Sequence, residues 1–328
     1  MDLLFGKTGQ NFSHELKDAL GFIDIDLPER KIKPDIRTAT RELINVIGNT
    51  TYVAIVTQYN LADDDVTKNK TLVSFAQTAV AASAYALFAP INDLAHTSNG
   101  RRMRSSDDEK TPFEWMVANS DDELQKRAFR AIDDLIKYMD ESFTTWKASA
   151  EYIQSYKLFI RTTAEFNQFY IIDSRLLLLK LNPGINNCEQ REIIVRIGKT
   201  LFDTLKAKRN GTNAVEMTAD EKLLFGHIQE ACAYYALSWA IPRLQINLMP
   251  EGIIQKIRSE RSTIKGRIVP AGMEVSQTSM LFKNDAELSF REIESLMKKI
   301  NPPTSTTEVD DCDDNPYGNC DDDLFVNT

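Results

Sequence analysis

Residues 73–94 read VSFAQTAVAASAYALFAPINDL, and residues 223–244 read LLFGHIQEACAYYALSWAIPRL. Set 150 residues apart without a gap, Phe75 meets Phe225, Ala81 meets Ala231, Tyr85-Ala86-Leu87 meets Tyr235-Ala236-Leu237, and Ile91 meets Ile241. The same offset lays RELINVIGNT from Arg41 on REIIVRIGKT from Arg191, sharing Arg41/Arg191, Glu42/Glu192, Ile44/Ile194, Ile47/Ile197, Gly48/Gly198 and Thr50/Thr200. Across residues 41–56 and 71–91, twelve of 37 positions are identical, where unrelated sequences would share about 2. Such a chain folds as two related units in tandem. The units also begin alike, with Leu4-Phe5-Gly6-Lys7-Thr8 and Phe12 against Leu158-Phe159-Ile160-Arg161-Thr162 and Phe166. Here the offset is 154, a slip that a loop absorbs and a packed helix does not.

At 328 residues there is chain enough for two lobes with real cores. Hydrophobic content of 42% with 27% charged residues is ordinary for a globular protein, no run of about 18 apolar residues is expected to span a bilayer, and no signal peptide is expected. Cys188, Cys232, Cys312 and Cys320 form no CxxC pair and read as reduced thiols made in a cytoplasm. The net charge of -9 is concentrated in a tail, because eight acidic residues and no Lys or Arg follow residue 307. Residues 302–328, acidic and containing Pro302, Pro303, Pro316 and Gly318, are expected to stay flexible until they meet a partner.

The expected class is mainly α, with two tandem helical lobes at 1–106 and 155–270 and a bridging helical segment at 107–154. A C-terminal extension at 271–301, holding an amphipathic helix over 285–300, precedes the acidic tail at 302–328. The first Arg-Glu helix should open at Asp35, just after Pro34, place Ile36, Ala39, Leu43, Val46 and Ile47 on one side, and stop at Gly48 in a left-handed C-cap. A second short helix leads to a polar loop over 60–70, then to a long Ala-rich helix ending near Pro90. In the second copy the long helix should end near Pro242. The bridge carries Trp115, Leu124, Phe129, Ile132, Leu135 and Ile136 in helical rhythm, and residues 253–257 with 264–269 suit a small β-hairpin.

No catalytic or cofactor motif emerges: there is no phosphate-binding glycine loop, no GxSxG and no HExxH, and His14, His96 and His227 have no ligand spacing. His227, opposite Gln77 at the 150 offset, reads as a core or interface residue, as do Phe75/Phe225 and Tyr85/Tyr235. Glu165 and Glu192 could serve an enzyme only if the fold brought them together. An EF-hand reading from Asp313 fails because Leu324 stands where the bidentate Glu is needed. The expectation is therefore a non-enzyme without cofactor or metal. Two basic stretches, one with Arg101, Arg102 and Arg104 and the other with Lys256, Arg258, Arg261, Lys265 and Arg267, follow the long helix in both copies. Repeated around a ring, they could track a phosphate backbone without reading sequence. Asp310, Asp311, Asp313, Asp314, Asp321, Asp322 and Asp323 are the candidate electrostatic tether.

The order of a short leading motif, a helix ending in Ile-Gly, a small helix, a polar loop and a long Ala-rich helix resembles the helical head-tail connector (adaptor) proteins of tailed bacteriophages. The likeness extends over roughly residues 3–267 and is closest to a duplicated form found in phages of gut bacteria, such as the crAss-like phages. It rests on LFxxT at Leu4, residues 41–48, Thr111-Pro112-Phe113-Glu114-Trp115, Phe166-Asn167, Ser174-Arg175 and the second long helix. The resemblance implies two connector-like lobes in a structural virion protein at the head-tail interface. It implies a homo-oligomeric ring, commonly twelvefold, beneath the portal, with portal protein, further tail or ring proteins and passing DNA as partners, and no membrane. The other reading is a cytoplasmic helical regulator or non-specific DNA-binding accessory protein.

Overall fold

The computed structural model describes residues 2–6, 12–23, 27–62, 64–97, 100–103, 113–210, 216–244, 246–249, 252–255 and 272–300. In the first repeat the leading segment and α1 (Phe12–Leu20) are followed by α2 (Glu29–Ile47), α3 (Asn49–Asn60), α4 (Lys70–Asn92), the short antiparallel strands β1 (Leu94–Thr97) and β2 (Gly100–Met103), and α5 (Glu114–Ser142). α2 buries Ile32, Ile36, Ala39, Leu43 and Ile47, a single stripe at helical spacing. It begins earlier than expected, at Glu29, and carries Pro34 within its second turn. Ile32, wholly buried, holds the added turn in place.

The second repeat repeats this order. It runs through α8 (Thr163–Phe166), α9 (Arg175–Cys188), a π-helical turn (Glu189–Ile193), α10 (Ile194–Ile197), α11 (Lys199–Arg209), α12 (Ala219–Leu244), β3 (Ile246–Met249), β4 (Gly252–Gln255) and α13 (Gly272–Ile300). Each repeat has its own buried core. α12 packs against α9 and α13, and at Gly184 any Cβ would stand 3.1 Å from the Ala236 backbone, so glycine permits the α9–α12 approach.

Burial corrects the register of the repeat. In the long helices the equivalent buried positions are Leu72/Leu224, Ala76/Ile228, Ala79/Ala231, Val80/Cys232, Ala81/Ala233, Ala84/Ala236 and Phe88/Ala240, an offset of 152 rather than 150. This register also matches Gln77 with Gln229 and Pro90 with Pro242. Both prolines lie inside their helices, which continue to Asn92 and Leu244.

Other expectations change with it. The bridge is the fifth helix of the first repeat: α5 packs on α4 and buries Leu135, Ile136 and Met139 in the first core. Its counterpart is α13, with Ala128/Ala286, Ala131/Ser289, Leu135/Ile293 and Met139/Met297 equivalent. α6 (Thr144–Lys147) and α7 (Ala150–Tyr156) then make the connection to the second repeat. Gly48 and Gly198 do end their helices at positive φ, but at φ 80, ψ 152 and φ 78, ψ 151 they occupy an extended region open to glycine rather than a left-handed helical cap. Ile253 belongs to β4, which pairs with β3; residues 264–269 lie outside the described residues. α4 is long and apolar enough to cross a membrane by length and composition, contrary to expectation, and 50% of its most apolar window is buried in the protein. It is the central helix of the first core, packed by α1, α2, α3 and α5.

Candidate functional site

Both repeats hold their leading Leu-Phe segment in a polar clamp. In the first, Leu4 and Phe5 are buried, Gln77 donates to the Leu4 carbonyl at 2.7 Å, and the Gly6 N–H donates to Glu15 Oε2 at 2.7 Å. Tyr59 donates to the same carboxylate at 2.9 Å. In the second, Gln229 donates to the Phe159 carbonyl at 3.0 Å, the Arg161 N–H donates to Glu165 Oε2 at 2.8 Å, and Arg209, at the position of Tyr59, pairs with Glu165. A long-helix glutamine and a short-helix glutamate thus satisfy backbone groups of the buried segment, which would otherwise cost free energy. The site-like carboxylates Glu165 and Glu192 have separate tasks, Glu165 in this clamp and Glu192 in an ion pair with Arg196 at 2.7 Å.

The second repeat adds charge where the first is neutral. α2 and its counterpart match with an offset of 149 up to Thr40/Glu189 and of 150 from Leu43/Ile193, so the π-helical turn accommodates one extra residue without rotating either flank. Glu189 opens that turn, 2% exposed. It accepts from the Phe159 N–H at 2.5 Å and from Lys206 at 2.7 Å; Lys206 also donates to the Lys157 carbonyl and stands 3.8 Å from the Phe159 ring centroid. Burial pushes the Glu189 carboxyl up and the Lys206 ammonium down, in each case against the attraction of the partner. The buried thiols of Cys188 and Cys232 adjoin the pair, and burial raises that of Cys232. This cluster escaped sequence reasoning. The available signal was Lys206 opposite the buried Val56 on the short second helix.

The repeats meet through unlike faces. Asp133 on α5 accepts from the Leu176 N–H at 2.8 Å and from Ser174 at 3.3 Å, so an aspartate of the first repeat caps α9 of the second. Arg175, 3% exposed at its side chain, pairs with Asp140 at 2.8 Å, and Trp146 donates to the other oxygen of Asp140 at 2.7 Å. Leu176 and Leu179 pack on the first core. Beside this junction opens a cleft of about 890 Å³, with Asn45 and Gln154 among its first-repeat and connecting residues, Asn182, Asn186 and Gln190 on the second-repeat helix, and Glu189 and Lys206 in its lining.

Of the expected basic site, Arg101 and Arg102 lie in β2, opposite His96 and Ala95 of β1. Their counterparts at the 152 offset are Ile253 and Ile254 of β4, so the two basic stretches are not position-for-position equivalents. Arg104, Lys256, Arg258, Arg261, Lys265 and Arg267 lie outside the described residues, as do Asp310, Asp311, Asp313, Asp314, Asp321, Asp322 and Asp323. His14 pairs with Asp18 and His227 with Glu230, and among the described residues no group of three His, Cys, Asp or Glu side chains is placed to hold a metal.

Fold and site together define a mainly helical protein of two tandem repeats joined through a polar, partly buried interface. The chain belongs to a family of unknown function, DUF6712, whose model matches it twice, over residues 43–155 and 195–301. Each match takes in the whole of the fifth helix of its repeat, α5 in the first and α13 in the second. No curated protein and no solved structure matches the chain.

Proposed function

We propose that this chain is a structural virion protein, a head-tail connector that forms a ring beneath the portal and surrounds the DNA exit channel. The observation that carries the reading is the junction between repeats: α5 of one unit receives the N-terminus of α9 of the next, through faces that differ. A contact of that head-to-tail kind between related units closes into a ring when its rotation divides a full turn. In such a ring the repeats are assembly surfaces, and the basic residues following the long helices face DNA or portal. The motif resemblance supports the same reading. Electron microscopy of the purified chain, alone and mixed with the portal protein of the same genome, tests it. Closed rings, or added density on the portal, are expected. Monomers or dimers in both samples, with salt-dependent DNA binding, would replace the connector by a helical DNA-binding accessory protein.

A further inference from the structure

We propose that residues 321–328, Asp-Asp-Asp-Leu-Phe-Val-Asn-Thr, dock in the cleft between the two repeats of their own chain. The cleft, at about 890 Å³, lies within the range of built binding sites. Beside the charged side chains of Glu151, Lys157, Lys180, Glu189 and Lys206, its polar lining is rich in carboxamides. Asn45, Gln154, Asn182, Asn186 and Gln190 all line it, and among the described residues none of these side chains makes a hydrogen bond to another protein group. A carboxamide offers both donor and acceptor, as does every residue of an extended polypeptide, so this lining suits a peptide backbone better than a charged small molecule.

The dimensions agree. Asn182, Asn186 and Gln190 recur every four residues on one side of their helix, and from Leu179 to Gln190 that side is about 16 Å long, the length of about five extended residues. Val46, Leu158, Leu176 and Phe202 supply apolar lining. Lys157 and Lys180 have no carboxylate partner among the described residues, while the carboxyl of Glu151 lies close to Gly48. Residues 321–328 match these features in order, with three acids followed by the only run of three apolar residues between 301 and 328.

Leu324-Phe325-Val326-Asn327-Thr328 also spells L-F-x-x-T, as do the two clamped segments beginning at Leu4 and Leu158. Those two seats are filled, by Leu4-Phe5 in the first repeat and by Phe159-Ile160, one residue further along, in the second; among the described residues nothing fills the cleft that Leu158 lines. The segment can reach it. Arg196 on α10 binds Glu294 at 3.0 Å and stands 4.2 Å over the Phe290 ring, which ties α13 to the helix lining the cleft. Gln190 is six residues back along that helix, about 9 Å. The twenty residues 301–320 span up to about 66 Å fully extended, and about 25 Å as a random coil.

The test uses the full chain with photoreactive benzoylphenylalanine at position 325, irradiated as a mixture of isotopically heavy and light copies and mapped by mass spectrometry. Cross-links within one chain to residues 179–190 or 151–157 are expected, and Lys157→Glu with Lys180→Glu should lower their yield at least fivefold. Cross-links into the Leu-Phe seats or elsewhere, cross-links between copies, none at all, or a yield indifferent to the lysines would each overturn the proposal. It does not depend on the connector reading, since a monomer would give the same intrachain map.

Discussion

Lys206 and Glu189 show how far two copies of one fold can diverge at single positions. The first repeat has Val56 and Thr40 there, and Thr40 satisfies its hydroxyl locally by donating to the Ile36 carbonyl at 2.7 Å. Since burial outweighs mutual attraction for both charges, the ion pair adds little net stability, while a lone partner would be left charged in the core. Lys206→Val alone should therefore cost about 3 kcal/mol in denaturant unfolding. Restoring the first-repeat pair with Glu189→Thr and Lys206→Val should bring the protein within about 1 kcal/mol of wild type at neutral pH, the Phe159 N–H having lost its acceptor. The pH dependence has a defined sign. A carboxyl raised above its ordinary 4.5 contributes stability that is present below 4.5 and lost as pH rises through its folded value. An ammonium lowered from 10.5 contributes stability only above its folded value. Wild type should thus gain on the double variant as pH falls from neutral towards 4.5; a constant difference would show that Glu189 is not held in the raised state.

At the scale of the element, the sequence was informative where helices match without gaps and misleading where they do not. Arg41–Gly48 and Arg191–Gly198 superpose as written because both end at a glycine in the same unusual conformation. Upstream, the one-residue insertion in the π-helical turn ends the ungapped match, and only burial reveals that Ile32, Ile36 and Ala39 answer to Leu181, Ile185 and Cys188. The Ala-rich helices match in two registers, since alanine recurs at many spacings, and only the packed face selects between them. α5 and α13 share a burial pattern with little identity, so the bridge could not be recognised as a fifth helix. If the turn is an accommodated insertion, deleting the exposed Gln190 should restore a continuous α-helix with both flanks in place. A loss under about 1 kcal/mol is expected by thermal denaturation. Deleting Asn182, where no bulge absorbs the change, should turn one flank by about 100° and cost at least about 3 kcal/mol. Equal losses from the two deletions would contradict this account.

For the whole molecule, the question is whether two cores unfold as one. Their coupling runs through few groups. Asp133 caps α9, and Asp140 stands between the buried Arg175 of the second repeat and Trp146, which packs in the first core. Arg175 also reaches Ser155 at 3.4 Å, but its remaining terminal nitrogen has no partner among the described residues, so Asp140 supplies the charge that offsets its burial. Asp140→Ala would leave a guanidinium inside a junction that the apolar contacts of Leu176 and Leu179 alone cannot compensate. The cost of about 3–5 kcal/mol would fall on the interface rather than on either core. Differential scanning calorimetry should then resolve one cooperative transition in wild type and two in the variant, one for each repeat. Asp140→Asn, which keeps an acceptor for Arg175 and for Trp146, should separate them less. A single transition in all three proteins, shifted by less than about 2 °C, would place the coupling elsewhere, in the apolar contacts that α5 and α9 share.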